Sequence, residues 1–427
     1  MIVESKNLKD IYRIIGFFLF CISSLFQDYI TTTESSILLY ILYFFSVIFL
    51  ICSISRKGCL FLSKKNLKFA ILWIVMALVF VIGYNEGIHR SSYFVTIRWL
   101  YFFLVMFIIS YISKERYSSM LKMLGAVASL YVFGVYFFRV FPQSYNIMYK
   151  HWGYWPTGTN NGVSGFRAGF ASHYSENAMF ISLLIFIIVS FLLNERKRYK
   201  KLIQIFFLVL SFGALMLTTK RAHLLFVFFS IVFAYYILKP EKRSNRTFKI
   251  IIGSTIGFVA LYICSFFVPV VADIFNRFST IGEDTESMTR FSMWALALKN
   301  FKENPILGIG WNGYKYQFFQ YLYNPKIRAE RYAFLNAHNV YLQLLSETGV
   351  IGFSLFIGGA IKAFIRTIMI FEFKDATQEI KSVLIFSIMM QAFFFMYSFT
   401  GNCLYDIMFS FFSVAVGISI GCCCQRD

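Results

Sequence analysis

The feature that most constrains this chain is a succession of apolar runs, most of them about long enough to cross a bilayer and most separated by short polar connections. The runs are centred near residues 11–27, 36–54, 68–83, 93–112, 120–141 and 176–193. Six more follow near 201–218, 222–238, 250–268, 340–371, 380–398 and 401–421. Hydrocarbon about 30 Å thick takes about 20 helical residues per crossing. The expectation is therefore an all-α polytopic membrane protein of about 12 transmembrane helices. Only 15% of the 427 residues are charged and 58% are hydrophobic, whereas a soluble domain carries roughly 25% charged residues. Secreted, fibrous, disordered and cytosolic-enzyme classes are excluded on this ground. Residues 1–427 read as a single integral membrane domain without linker or repeat. The polar start, Met1–Asp10, and the run after it read as a retained helix, not a cleaved signal.

The 41 Lys and Arg outnumber the 21 Asp and Glu, but they fall mostly in short clusters between apolar runs. That distribution follows the positive-inside rule and argues against a nucleic-acid partner. It puts both termini in the cytoplasm and two longer segments, residues 142–175 and 269–337, on the external, periplasmic side. Loops of that length are usually functional, and the cations left on that side run against the orientation rule. The eight cysteines lie mostly in apolar runs or the tail, Cys422–Cys424 included, with no metal-ligand spacing.

Three places carry chemistry. Lys220 and Arg221 occupy a very short external connection beside hydrocarbon, where a charge is costly unless it meets a cavity or a partner. A Lys-Arg pair suits phosphate, because Arg forks two oxygens and Lys adds a compact charge; a pair that snorkels to the interface is the alternative. In the large external loop, Arg290, Trp294, Ala297 and Phe301 recur on one face of an amphipathic helix that Asn304-Pro305 should stop. Arg290 either meets an anion there or pairs with Glu283, Asp284 or Glu286. The tenth run opens with a polar half, His338, Asn339, Leu342, Gln343, Ser346 and Glu347, which predicts a water- or ligand-filled cavity. At its outer end a neutral His338 could take a proton from a hydroxyl.

Trp152, Tyr154 and Trp155 in the shorter external segment suit stacking on sugar rings, although interfacial belts have the same composition. With Asn339 and Gln343 they are the candidate glycan contacts. Gly308-Ile309-Gly310-Trp311-Asn312-Gly313 spells a dinucleotide fingerprint without a preceding strand. It reads instead as a turn that lets backbone approach other groups closely.

These residues resemble the O-antigen polymerase (Wzy-type) and O-antigen ligase superfamily of bacterial membrane glycosyltransferases. The resemblance rests on Thr219-Lys220-Arg221-Ala222, on Arg290 to Trp294 followed by Asn304 to Gly310, and on Ala337-His338-Asn339. The last continues through Tyr341-Leu342-Gln343 and Glu347 to Gly352. It implies glycan transfer from undecaprenyl diphosphate on the external face of the cytoplasmic (inner) membrane, with no metal and no other cofactor. Arg221, Arg290 and His338 would then be the catalytic positions, with Lys220 and Arg167 as further diphosphate ligands. The flank of Arg167, Ser172-His173-Tyr174-Ser175, departs from the usual pattern.

A polymerase extends a chain onto a new lipid-linked repeat unit, while a ligase hands it to a sugar of lipid A-core. The Lys-Arg pair and the run Tyr341 to Gly349 favour a polymerase. A lipid-linked oligosaccharide flippase is the alternative from another class, although the long external loops fit it poorly. Besides membrane lipid and the lipid-linked oligosaccharide, a chain-length regulator is a common partner of such polymerases.

Overall fold

The computed structural model describes residues 2–27, 37–54, 91–145, 165–171, 173–238, 243–266, 272, 285–315, 336–371 and 377–424. All regular structure among them is helical: α1 (Ile2–Leu25), α2 (Ile37–Ser53), α3 (Ser91–Ser110), α4 (Tyr117–Val140), α5 (Tyr174–Leu192) and α6 (Arg198–Leu217). Then follow α7 (Arg221–Leu238), α8 (Arg243–Ser265), α9 (Thr285–Glu303), α10 (Val340–Phe371), α11 (Gln378–Tyr397) and α12 (Met408–Cys424). Among the described residues five helices are long and apolar enough to cross a membrane: Lys114–Val140, α5, α6, α10 and α11. Shorter apolar helices lie at Ile37–Ser53, Thr96–Ser110, Arg221–Ile237, Thr247–Gly257 and Met408–Cys422. The expected run at 68–83 lies outside the described residues. The last run, expected from 401, becomes helical only at Met408, because 398–407 folds as a turn.

Burial follows position in the bundle. The apolar stretches of α5 and α11 are each 78% buried and that of α6 only 17%, so α5 and α11 form the core. Leu202, Ile203, Phe206, Phe207 and Val209 of α6 face outward, as a lipid-facing helix requires. Lipid is as apolar as leucine, so helices associate through close packing and hydrogen bonds. One such knot ties α10, α11 and α12. Gln391 Nε2 donates to Thr367 Oγ1 and Ser387 Oγ, both at 3.0 Å, and Thr367 Oγ1 donates to Ser419 Oγ at 2.8 Å. Each bond of this kind contributes about 0.6–2 kcal/mol.

The bundle has two chemically distinct ends. At one, Arg116 pairs with Asp10 at 2.7 Å and Asn194 donates to Ser382 at 3.0 Å. The other gathers the starts of α5, α7, α10 and α12 and the finishes of α6 and α11. Lys220, His338 and the other described candidate site residues lie at this second end.

The local device that shapes it is a break in α10. Gly349 leaves the helical region at φ 59°, ψ −167°, which frees backbone groups that a continuous helix would pair four residues apart. The turn after α9 replaces those partners. Ile309 N donates to Ser346 O at 3.0 Å and Gly310 N to Glu347 O at 2.9 Å, while Val350 N donates to Pro305 O at 2.9 Å. Unsatisfied groups would cost several kcal/mol each in hydrocarbon. The approach is so close that a β-carbon on Gly308 would lie 2.3 Å from Glu347 C, and one on Gly349 2.2 Å from Ile306 O. The glycine turn is thus a backbone clamp.

Two expectations change here. The polar half of α10 does not line an open cavity: Gln343, Ser346 and Glu347 are all fully buried, with Glu347 accepting from Gln343 Nε2 at 3.0 Å and Tyr405 OH at 2.7 Å. A loop returning onto the helix is invisible to periodicity. On α9, which ends at Glu303 just before Asn304-Pro305, the buried face is Met293, Leu296, Ala297 and Asn300. It is rotated by somewhat under a quarter turn from the expected stripe and leaves Arg290 at its edge, half-buried.

Candidate functional site

Lys220 is presented by the tight turn between α6 and α7. Thr218 and Thr219 are buried, and Thr219 takes the left-handed conformation at φ 59°, which reverses the chain in three residues. Lys220 Nζ then lies 4.5 Å from the centre of the Tyr174 ring, a cation–π contact that holds the ammonium at the bundle mouth. Tyr174 begins α5, whose N-cap is His173, with Nδ1 accepting from Ser175 N at 3.1 Å. Ser175 Oγ meets Tyr397 OH at 3.2 Å, joining α5 to the end of α11.

His338 stands two residues before α10, with φ 52°, an uncommon conformation that histidine tolerates better than most residues. Asn402, in the turn before α12, holds it from two sides. Its Oδ1 accepts from His338 N at 3.1 Å, and its Nδ2 lies 3.3 Å from His338 Nδ1. Arg290 arrives from α9, which is docked here by Trp294 Nε1 donating to Ala337 O at 3.0 Å.

These side chains lie close enough to act on one another's charge. Burial pushes the His338 imidazole down to about 4, helped by the charges of Arg290 and Lys220. Burial likewise lowers His173 to about 3, with Lys220 and His338 adding to the effect. Both imidazoles are neutral at pH 7; Lys220 of the α6–α7 turn acts on both, and Arg290 of α9 on His338.

The remaining expected residues are placed as follows. Arg221 opens α7 beside Lys220, half-buried. Arg167 lies in the one-turn helix Gly165–Ala168, where its carbonyl oxygen accepts from Asn177 Nδ2 at 2.8 Å. Asn339 caps α10, Oδ1 accepting from Leu342 N at 3.1 Å. The Gln343 amide is spent on Ala337 N at 2.8 Å, Asn336 Oδ1 at 3.2 Å and Glu347. Asn339 and Gln343 therefore build the junction beneath His338, and the proposed glycan contact of Gln343 is replaced by protein contacts. Trp152, Tyr154, Trp155, Glu283 and Asp284 lie outside the described residues.

The segment that supplies Lys220, Arg221, Arg290, the glycine clamp and His338 is also the one with a recognisable family signature. Residues 206–357 match the family model described as O-antigen ligase. Through this segment the chain is similar to the O-antigen ligase family. No curated protein matches the chain. The matched segment runs from α6 to just past the break in α10. His173, Asn402 and Arg98 lie outside it.

A second charged group was missed in the sequence. Arg98 of α3 is 9% exposed and its guanidinium donates to Tyr405 O. With Gln27, Glu176 and Asp406 it lines a polar cavity of about 70 Å³. Lys315 joins them electrostatically, its ammonium pushed down by burial and held up by Asp406. Arg98 was detectable as a cation inside an apolar run. Asn402 had no such signal, because nothing local distinguishes it from an ordinary turn residue.

Proposed function

We propose that this protein is a polysaccharide polymerase of the O-antigen type. It transfers a growing glycan from undecaprenyl diphosphate to a sugar hydroxyl of a new lipid-linked repeat unit. The reaction takes place on the external face of the inner membrane. The observation that carries this reading is the convergence of Lys220, Arg290 and His338 at one end of the bundle, inside the family-matched segment. Fixed cations placed where a diphosphate leaves stabilise charge as it develops, commonly the largest catalytic contribution. Arg221, next to Lys220, and Arg167 are the proposed further contacts to the diphosphate. Trp152, Tyr154 and Trp155 are the proposed sugar-stacking residues. The donor's own diphosphate supplies the driving force, and in the proposed reaction the fixed cations, not a metal ion, stabilise it as it leaves.

A ligase is the second reading, favoured by the description of the matching family. It differs only in the acceptor, lipid A-core. The test is purified protein in lipid vesicles, given undecaprenyl-diphosphate-linked repeat unit alone and then with lipid A-core. A ladder of lipid-linked oligomers from the first mixture supports the polymerase. Transfer only after lipid A-core is added replaces it with the ligase, and no transfer in either mixture contradicts both.

A further inference from the structure

The hydrogen bonds around His338 determine which ring nitrogen carries the proton. An asparagine side chain has one acceptor end and one donor end. The His338 backbone N–H, which can only donate, faces Asn402 Oδ1 at 3.1 Å. The atom 3.3 Å from His338 Nδ1 is therefore the Asn402 amide nitrogen, and Nδ1 must accept. A neutral imidazole whose Nδ1 accepts carries its hydrogen on Nε2.

We propose that Asn402 is a positioning residue that locks His338 as the Nε2–H tautomer, so that the ring presents a hydrogen-bond donor to the diphosphate of the lipid-linked glycan. This assignment rests on the transferase reading above and replaces the sequence expectation that His338 takes the acceptor's proton. In the transfer step the bond from the anomeric carbon to the diphosphate oxygen breaks, its electron pair staying on the diphosphate. The acceptor hydroxyl oxygen bonds that carbon, and its proton passes to an oxygen of the departing diphosphate. His338 stays neutral throughout, donating beside the cations Arg290 and Lys220. Among the described residues, the charged and titratable groups acting on it are Arg290 from α9, Lys220 from the α6–α7 turn and His173 at the start of α5. No carboxylate stands in that described set, in contrast to the usual histidine base, whose Nδ1–H is held by a carboxylate.

Asn402→Asp separates the two roles. An aspartate still accepts from the His338 backbone N–H, but it demands a hydrogen on Nδ1 and strips it from Nε2. The first experiment uses the wild type in lipid vesicles with nitrogen-15-labelled histidine, the His338 signals being assigned among the chain's five histidines by their absence in His338→Gln. Nitrogen shifts showing Nε2 protonated and Nδ1 bare at pH 7 are expected, and a protonated Nδ1 overturns the proposal. The second follows transfer from undecaprenyl-diphosphate-linked repeat unit against pH. Asn402→Asp should transfer at least tenfold more slowly than wild type at pH 8 and recover on acidification, as protonation returns a hydrogen to Nε2. Transfer that is retained at pH 8 and falls on acidification makes His338 a base and overturns the proposal. A wild type with the expected proton pattern that transfers nothing overturns the transferase reading, and the donor role with it.

Discussion

The centre of the site is a pair of neutral histidines among cations, and that arrangement has a defined pH signature. His338 and His173 are held at about 4 and about 3 by burial and by neighbouring positive charge, whereas an unfolded histidine titrates near 6.5. Above about pH 6.5 neither state binds the protons and the depressed values cost nothing. As pH falls below that, the unfolded chain takes up protons that the folded site refuses, so stability drops until the folded imidazoles titrate at about 4 and about 3. Thermal unfolding in detergent should therefore weaken progressively from pH 6.5 to pH 4. Lys220→Ala should shallow that slope, because it removes a charge that both imidazoles feel; a variant slope equal to the wild type would separate Lys220 from the histidines. The individual charges were legible in the sequence, since Lys220 and Arg290 are expensive where they stand. Their convergence was not, because it depends on a cation–π contact with Tyr174 and on Trp294 reaching Ala337, neither of which leaves a local pattern.

At the scale of elements, the broken α10 and the turn that repairs it form one unit. The close approach at the turn is legible from its glycines, yet residues 340–371 read as one continuous run. Glu347-Thr348-Gly349-Val350 carries no helix-breaking proline, and a single glycine is tolerated in membrane helices. The partner of the break lies about forty residues away, beyond the reach of any periodicity. Gly349→Ala must pay roughly 1–2 kcal/mol for its left-handed backbone and a further 1–3 kcal/mol for overpacking against Ile306. Gly308→Ala meets Glu347 in the same way. Each should lower stability by about 2–5 kcal/mol and impair transfer, whereas Gly358→Ala on the same helix, with open space around it, should do neither. Equal melting temperatures for Gly349→Ala and Gly358→Ala would show that the clamp is dispensable.

Across the whole molecule, the charge-derived orientation expects the candidate site to face outside, and that expectation can be tested directly. Fold class was readable because lipid as a solvent permits so few solutions; the helix that carries the amphipathic face and the second charged group around Arg98 needed the tertiary structure. Phe399, exposed at the site end, and Lys197, exposed between α5 and α6, give a direct check of orientation. In a cysteine-free background, Phe399→Cys should react with a membrane-impermeant maleimide on intact spheroplasts and Lys197→Cys only after permeabilisation. The opposite pattern would invert the topology.

The central claim is that charges from separate elements serve one diphosphate-handling site. The most direct measurement is the rate of chain extension by purified, lipid-reconstituted protein supplied with undecaprenyl-diphosphate-linked repeat unit, for wild type, Lys220→Gln, Arg290→Lys and the double variant. Groups acting on one transition state are not additive. The expected result is a ladder from wild type, a loss of at least tenfold in each single variant, and a double variant little slower than the worse single one. Losses that simply multiply, or a full ladder from either single variant, would contradict a shared site.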